Sequence, residues 1–166
     1  MASVAAPPAA ASGDRCVAIA VAPGMPALAL ARSTLVEVVF EPIECPLPGA
    51  TGALRGIIAL RGALLPAFDL AAWLGLGAQA ASRVVAIGRG ERAAALLAGG
   101  EPRVVEVFDA HDAAPPPPAL APFVRAARDA DGTPLWRFDH EAWFAVAARP
   151  PETRPETAAR AAEATP

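Results

Sequence analysis

The side chains that could do chemistry are few and widely separated in this chain. Of the two histidines, His111 lies in the acidic segment 109–112, where aspartate and histidine could together hold a metal ion. That segment is a proline-flanked polar loop, so solvation is the simpler expectation for His111, and His140 is expected on the first turn of a helix. Cys16 and Cys45 lack the Cys-x-x-Cys spacing of metal and redox sites. We therefore expect no metal site and no catalytic residue among these side chains.

Asp69 and Asp139 could form a pair of carboxylates for acid–base catalysis, but their local context favours a structural role. Each follows an apolar, strand-like run and precedes a run of good helix formers. An aspartate in that place typically caps a helix, because its carboxylate accepts hydrogen bonds from the free backbone N–H groups of the first turn. We therefore expect both residues to be N-caps.

Residues 54–74 are echoed 70 positions later by residues 124–144, and this repeat organises the sequence. The identities at this offset are Arg55 and Arg125, Gly62 and Gly132, Leu65 and Leu135, Phe68 and Phe138, Asp69 and Asp139, Ala72 and Ala142, and Trp73 and Trp143. Chance would give roughly one or two identities in such a window, so a shared supersecondary unit is indicated. Two copies are too few for a solenoid and suggest two similar subdomains in one fold.

Each copy has the pattern of a β-hairpin followed by a capped, short helix. Arg61-Gly62 in the first copy and Asp131-Gly132 in the second are turn signals between two apolar runs. The first helix is expected to end at Gly75, because glycine accepts the left-handed conformation found at helix C-caps. Pro66, inside the return strand, predicts an edge position or a bulge, since proline cannot donate to a strand ladder.

Composition limits the class of partner. Hydrophobic residues make up 54% of the 166-residue chain, all 14 basic residues are arginine, and the net charge is −3. No basic block is present, so nucleic acid and an anionic membrane surface are poor candidates. No stretch reaches the roughly 18 apolar residues of a spanning helix, so we expect no membrane insertion. Both cysteines lie in apolar, strand-like contexts and are expected to be buried, reduced thiols of a cytoplasmic protein.

Shifts in composition mark the ends of the folded part. We expect a disordered leader at residues 1–14, a folded unit at 15–149 and a disordered, proline-broken tail at 150–166. Residues 42–52 are expected to form a loop, and Pro115–Pro118 a polyproline spacer. Many short strands with only brief helices are typical of an all-β barrel architecture.

Glu37 and Arg61 are charged residues within apolar surroundings. Glu37 lies in the run Val36–Phe40, and Arg61 lies between the two apolar runs of the first copy. In one interpretation the strand alternates and Glu37 faces water. In the other the two side chains form an ion pair on an interaction face, because burying a lone arginine is costly. The residues alone leave both interpretations open.

The first copy and its flanks resemble a known family. Leu54–Leu76, with its Leu-Arg-Gly turn, its proline and its Asp-Leu cap, resembles the signature of the CheW-like coupling domain of bacterial chemosensory systems. Leu28–Phe40 is similar to the early strand pair of that family, Leu47–Gly49 to the loop before the signature, and Phe123–Phe144 to its terminal hairpin. The resemblance covers residues 15–149.

This resemblance implies an all-β fold of two small, SH3-like, five-stranded barrels packed together, with short helices. It implies a non-enzymatic adaptor, without a cofactor, that couples the cytoplasmic tip of a chemoreceptor to the regulatory domain of a chemotaxis-type histidine kinase. Ala59 and Ala126 stand where the family has asparagine and glycine. The Trp-rich segment Leu135–Trp143 is similar to the divergent, pilus-associated coupling proteins. A coupling protein of a type IV pilus motility system and a small-ligand-binding β-barrel protein are the alternatives.

The resemblance also implies two binding surfaces. The receptor-facing surface is expected near the groove between the barrels, at Val36, Glu37, Leu60 and Arg61, ordered by an ion pair between Glu37 and Arg61. The kinase-binding surface is expected at the apolar rim of the first barrel, at Leu47, Pro48 and Leu64. An adaptor should show exposed apolar patches, whereas a ligand-binding barrel should show a concave site with convergent polar groups.

Overall fold

The computed structural model describes residues 13–48, 50, 52–78, 83–111 and 114–147. The strands are β1 (Asp14–Ile19), β2 (Ala27–Ala31), β3 (Leu35–Phe40), β4 (Glu44–Pro46), β5 (Leu54–Leu60), β6 (Ala63–Phe68), β7 (Arg83–Ile87), β8 (Ala94–Ala98), β9 (Arg103–Asp109), β10 (Val124–Asp129) and β11 (Pro134–Phe138). The helices are α1 (Leu70–Trp73) and α2 (His140–Ala147). The leader and tail expected from the sequence lie outside the described residues, except that Gly13 is described and Asp14 begins β1.

The strands form two subdomains, one inserted into the other along the chain. Strands β1, β2, β11, β10 and β9, in that order, close into a five-stranded barrel. The chain between β2 and β9 folds into a six-stranded sheet of order β3-β7-β8-β6-β5-β4. The expected fold class, mostly β with two subdomains and short helices, is therefore confirmed.

The six-stranded sheet corresponds to the barrel with one strand broken. In the barrel, β9 pairs with β1 through residues 103–107 and with β10 through residues 107–109. In the sheet, two consecutive strands together take the place that β9 has in the barrel. The first, β3, pairs with β7, and the second, β4, pairs with β5. Strands β3 and β4 are separated at Glu41, whose φ of 47° is a left-handed conformation, so the chain turns away from the direction of β3 there. Five strands per subdomain is thus correct for the barrel, and the other subdomain has six.

The repeat in the sequence is the same unit in each subdomain. Strands β5 and β6 with α1 form the copy in the sheet, and β10 and β11 with α2 form the copy in the barrel. Each return strand also runs parallel to its other neighbour, β6 to β8 and β11 to β2. The N–H of Asp69 donates to the carbonyl of Ala53, and that of Asp139 to the carbonyl of Phe123, both at 2.8 Å. The shared unit predicted from the repeat is therefore present.

Small side chains fill the barrel, and larger ones face the other subdomain. The interior cluster contains Cys16, Ala18, Ala29, Val105, Val107, Ala127 and Leu135. The cluster between the subdomains includes Val17, Ile19, Leu28 and Leu30 from the same first two strands, together with Val85 and Leu96 of the sheet. Alternate residues of a strand face opposite sides, so β1 and β2 are buried on both faces. This burial explains why residues 16–19 of β1 and 27–30 of β2 are continuous apolar runs.

The two helices meet where the subdomains join. The rings of Trp73 in α1 and Trp143 in α2 pack edge to face with their centroids 5.7 Å apart. Phe68, at the end of β6, packs against Trp143 in the same manner at 5.1 Å. Edge-to-face pairs of this kind stabilise an interface by about 0.5–1.5 kcal/mol beyond area burial. Neither helix in the described part of the chain has the length and apolar character needed to span a membrane.

Two local expectations are wrong, and a third is right only in one of its alternatives. Residues 42–52 contain strand β4, which pairs with β5 and is the edge of the sheet. Cys45, in β4, is exposed, although Cys16 is buried as expected. Strand β6 lies inside the sheet, so Pro66 does not mark an edge. Its missing N–H is tolerated because the pairing with β8 begins only at Ala67. The other alternative, a bulge, agrees with the irregularity of the β5–β6 ladder between Leu54 and Gly56, beside the Ile57–Pro66 pair.

Candidate partner-binding surface

The Leu-Arg-Gly part of the signature forms the tight turn between β5 and β6. Arg61 and Gly62 have φ values of 50° and 82°, and Leu60 pairs directly with Ala63. Two consecutive positive φ angles are those of a type I′ turn, which suits glycine and strains an arginine. The turn projects the Arg61 side chain into solvent, where 78% of it is exposed. An arginine held in this conformation is a candidate functional residue.

Arg61 and Glu37 form the expected ion pair. Arg61 Nε lies 2.7 Å from Glu37 Oε2, and the Glu37 side chain is 31% exposed. Glu37 is opposite Ala86 of β7, so its side chain leaves β3 on the inner face of the sheet. Its carboxylate extends from there to the β5–β6 turn. Val36 lies beside it, at an irregularity in the register of β3. Because Arg61 is largely exposed, the pair contributes at most about 1 kcal/mol to stability.

An apolar groove of about 250 Å³ opens beside this turn. Its lining consists of Leu60, Arg61, Ala63, Leu65, Ala86, Ile87, Gly88, Arg89, Gly90 and Ala93. All of these residues belong to the six-stranded sheet and its turns, so the groove opens onto the core of that subdomain. It is therefore not the groove between the barrels in which the receptor-facing residues were expected. The charged members are two arginines, and the lining presents no convergent set of acids and amides that would orient a small polar ligand.

The outer face of β4, β5 and β6 is an apolar patch, which we call the outer patch. Its members are Cys45, Ile57, Ala59, Leu64 and Pro66, joined across the strands by the pairs Cys45–Ile57, Ile57–Pro66 and Ala59–Leu64. Leu64 is 71% exposed. Leu47 and Pro48 follow β4 directly, the first half-buried and the second exposed. The three residues expected to bind a kinase thus lie on or next to an exposed apolar surface, which is typical of interaction sites.

An ion-pair cluster behind this surface involves a residue that sequence reasoning missed. Arg55 Nη1 lies 3.2 Å from Asp69 Oδ2, and its Nε lies 3.8 Å from Glu44 Oε1. Asp69 is only 1% exposed. Gly56 allows β4 to approach, because a Cβ there would lie 2.5 Å from the carbonyl oxygen of Cys45. Arg55 and Gly56 are part of the signature, but the contact between Arg55 and Asp69 forms only in the folded structure, so the sequence did not predict it.

Both predicted caps are confirmed. The N–H of Ala72 donates to Asp69 Oδ1 and the N–H of Ala142 donates to Asp139 Oδ1, each at 3.0 Å. Gly75, with φ of 74°, follows α1 as expected. Its N–H donates to the carbonyl of Ala72 at 3.0 Å, and the next N–H donates to that of residue 71, which is the Schellman pattern. Both carboxylates therefore have the structural role expected of helix caps.

The barrel is closed at both ends by arginine–carboxylate pairs that the sequence did not reveal. At one end, Arg103 lies 3.4 Å from Asp129. At the other, Arg137 lies 2.8 Å from Asp14 and 3.0 Å from Asp109. Burial raises the pKa of Asp129, but hydrogen bonds from Thr133, then from Arg103 and the N–H of residue 131, outweigh it and hold that pKa below its usual value. These pairs join residues up to 123 positions apart, so no local sequence pattern predicts them.

The remaining candidates for chemistry are dispersed. His111 is exposed on its loop, and residue 112 lies outside the described residues. His140 is buried on the first turn of α2, and burial lowers its pKa. Burial raises the pKa of the Cys16 thiol, although nearby Arg137 opposes the shift. Within the described ranges, no group of three or more His, Cys, Asp or Glu side chains is arranged to hold a metal ion.

Comparisons with known proteins agree with this geometry. A solved structure described as the scaffolding protein TtCheW from Thermoanaerobacter tengcongensis matches with a TM-score of 0.60 and 20% sequence identity, over 76% of this chain and 88% of that one. At that identity the likeness concerns the fold. No curated protein matches the sequence. A family model described as the CheW-like domain matches residues 24–148. Since that match spans well over half of the 166 residues, the chain belongs to the CheW-like domain family of scaffold and adaptor proteins.

Proposed function

We propose that this chain is a non-enzymatic, cytoplasmic adaptor that couples the signalling tip of a chemoreceptor to the regulatory domain of a chemotaxis-type histidine kinase. The observation that carries the proposal is the strained Arg61 turn. It holds an exposed guanidinium and its Glu37 partner beside an apolar groove. Apolar anchors ringed by polar groups are typical of binding hot spots.

The receptor is assigned to the Arg61 side of the sheet. Val36, Glu37, Leu60 and Arg61 would bind it, with Leu60 lining the groove and the ion pair fixing the rim. A receptor tip would place an apolar side chain in the groove and a carboxylate near the exposed guanidinium. Such charged rim contacts set specificity and association rate more than stability.

The kinase regulatory domain is assigned to the outer patch. Leu47, Pro48 and Leu64 would form its apolar anchors, with Leu64 central because it is largely exposed and is paired with Ala59 of β5 within the outer patch. The two surfaces lie on different sides of the same strands, since Leu65 faces the sheet's own core and Leu64 faces outward. One adaptor could therefore hold both partners at once.

The receptor assignment is tested by titrating a receptor tip fragment with Arg61→Glu, Glu37→Arg and the double variant. Arg61→Glu should weaken binding about tenfold, a loss of about 1.4 kcal/mol, because it places two carboxylates together at the rim. Arg125→Glu is the matched control, since Arg125 is exposed on the barrel and makes no ion pair within the described residues. Restored affinity in the double variant would show that the pair orders the surface. Unchanged affinity of a well-folded Arg61→Glu protein for the receptor tip fragment would refute the receptor assignment.

The kinase assignment is tested with Leu64→Ser against the isolated regulatory domain. We expect a loss of affinity of at least about tenfold, since a buried leucine anchor contributes about 1.5–3 kcal/mol. Val104→Ser is the matched control, because Val104 is 61% exposed on the barrel. Receptor binding by Leu64→Ser should be unchanged. Equal losses in both serine variants would point to a general change in the surface and not to a kinase site.

The two alternatives are less well supported. A small-ligand-binding barrel would need convergent polar groups in a pocket, which the groove lining does not provide. The Trp-rich segment that is similar to pilus-associated coupling proteins places Trp136 and Trp143 in the core, with 2% and 0% exposure. Those tryptophans therefore stabilise packing and do not favour a pilus partner.

A further inference from the structure

The polyproline segment has a conformation that its covalent structure dictates. Residues 115–118 are four consecutive prolines, preceded by Ala114. Each proline ring holds φ near −65°, and each residue before a proline is driven to extended ψ. Ala114 to Pro117 are therefore confined to the polyproline II region, a left-handed helix with three residues per turn. The structure accordingly assigns neither helix nor strand to residues 114–117.

The segment is anchored firmly at its C-terminal end. The carbonyl of Pro117 accepts hydrogen bonds from the N–H groups of Leu120 at 2.8 Å and Ala121 at 3.0 Å. Leu120 is 0% exposed and belongs to the cluster between the subdomains. A short 3-10 helix, Ala121–Phe123, then leads into β10. The prolines are thus fixed to the fold, and little conformational entropy remains to be lost on binding.

Burial along the segment shows one edge turned to solvent. Pro115 and Pro118 are exposed, whereas Pro116 and Pro117 are half-buried. In a helix with three residues per turn, positions i and i+3 lie on the same edge. The exposed edge is therefore a Pro-x-x-Pro pair. Hydrogen bonds among the described residues involve the Pro117 carbonyl but not those of Pro115 and Pro116, which are left free to accept from a partner.

We propose that Pro115 and Pro118 form a docking epitope for a partner domain whose groove is lined by aromatic side chains. Such grooves bind preformed polyproline II helices by packing rings against two prolines one turn apart, while a tryptophan or tyrosine donates to a free carbonyl. The epitope lies in the barrel's β9–β10 connection, outside the six-stranded sheet that carries the receptor and kinase assignments. It would recruit a third component and does not depend on the proposed function.

The test uses the full chain and two nitrogen-15-labelled probes, an SH3 domain and a WW domain that bind Pro-x-x-P and proline-run peptides. Titration with the unlabelled protein should shift the amide signals around the aromatic groove of at least one probe. Pro115→Ala combined with Pro118→Ala should weaken that binding at least tenfold, because both ring contacts and the fixed φ angles are lost.

Two further variants separate recognition from folding. Pro118 begins the turn closed by Leu120, so Pro115→Ala alone serves as a second variant that leaves this turn intact. Pro122→Ala combined with Pro134→Ala is the matched control, since both prolines are exposed on the same subdomain but not in the segment. Weakening in the segment variants with full binding by the control supports the proposal. No shift in either probe, or equal shifts with the segment variants, would overturn it.

Discussion

Asp69→Ala should destabilise the fold more than Asp139→Ala, although the two caps have the same hydrogen-bond length. Each carboxylate accepts one first-turn N–H at 3.0 Å. Asp69 is buried and also accepts from Arg55 at 3.2 Å, whereas Asp139 is exposed. Loss of a cap costs about 0.5–2 kcal/mol, and loss of a charged hydrogen bond about 1.5–3 kcal/mol. Arg55 is one-third exposed and can regain water, so the second cost is reduced.

The expected losses are therefore about 2–4 kcal/mol for Asp69→Ala and about 0.5–2 kcal/mol for Asp139→Ala. Urea unfolding followed by tryptophan fluorescence measures both. The signal is suitable because Trp136 and Trp143 are buried and Trp73 is half-buried. Asp69→Asn separates the two costs, since the amide oxygen still accepts from Ala72 while the charge opposite the arginine is removed.

Equal losses for the two alanine variants, within about 0.5 kcal/mol, would refute the argument that burial and the arginine distinguish the caps. A double-mutant cycle with Arg55→Met provides the control. If the ion pair carries the difference, Asp69→Ala should cost markedly less in the Arg55→Met background. An unchanged cost in that background would assign the difference to burial of the cap alone.

Three shorter predictions follow from the same geometry. Arg61→Asn should keep the free energy of unfolding within about 1 kcal/mol, because asparagine accepts the left-handed turn conformation and only a partly exposed ion pair is lost. A larger loss would show that the pair has a structural role. Cys45 should react with a thiol reagent in the native protein and Cys16 only on unfolding, because Cys16 is buried and its pKa is raised; mass spectrometry of the labelled protein decides. The folded-state pKa of Asp129 is lowered, so its contribution to stability is present above about pH 4 and lost as the pH falls through the lower folded value. Asp129→Asn should therefore flatten the acid limb of a stability-versus-pH curve, and an unchanged limb would contradict this.

Local chemistry in the sequence determined the repeated unit and the family. The Arg61-Gly62 turn, the cap at Asp69 and the stop at Gly75 depend on residues that are neighbours along the chain, so their types and spacing were sufficient to predict them. The same signature carried the resemblance that the family match confirms. The Glu37–Arg61 ion pair was one of two open interpretations, because its partners lie on different strands, and the structure chose between them.

Only the tertiary structure decided how the two copies are completed. Strands β1 and β2 are the first strands in the described part of the chain, yet they close the barrel around the C-terminal copy, while the first copy joins the inserted sheet. This division also placed β4 at an edge, left Cys45 in solvent and put Pro66 inside a sheet. The barrel-closing contact between Arg137 and Asp14 spans 123 positions. Such pairings are set by strand topology and the packing of distant apolar faces, which leave no fixed spacing in the sequence.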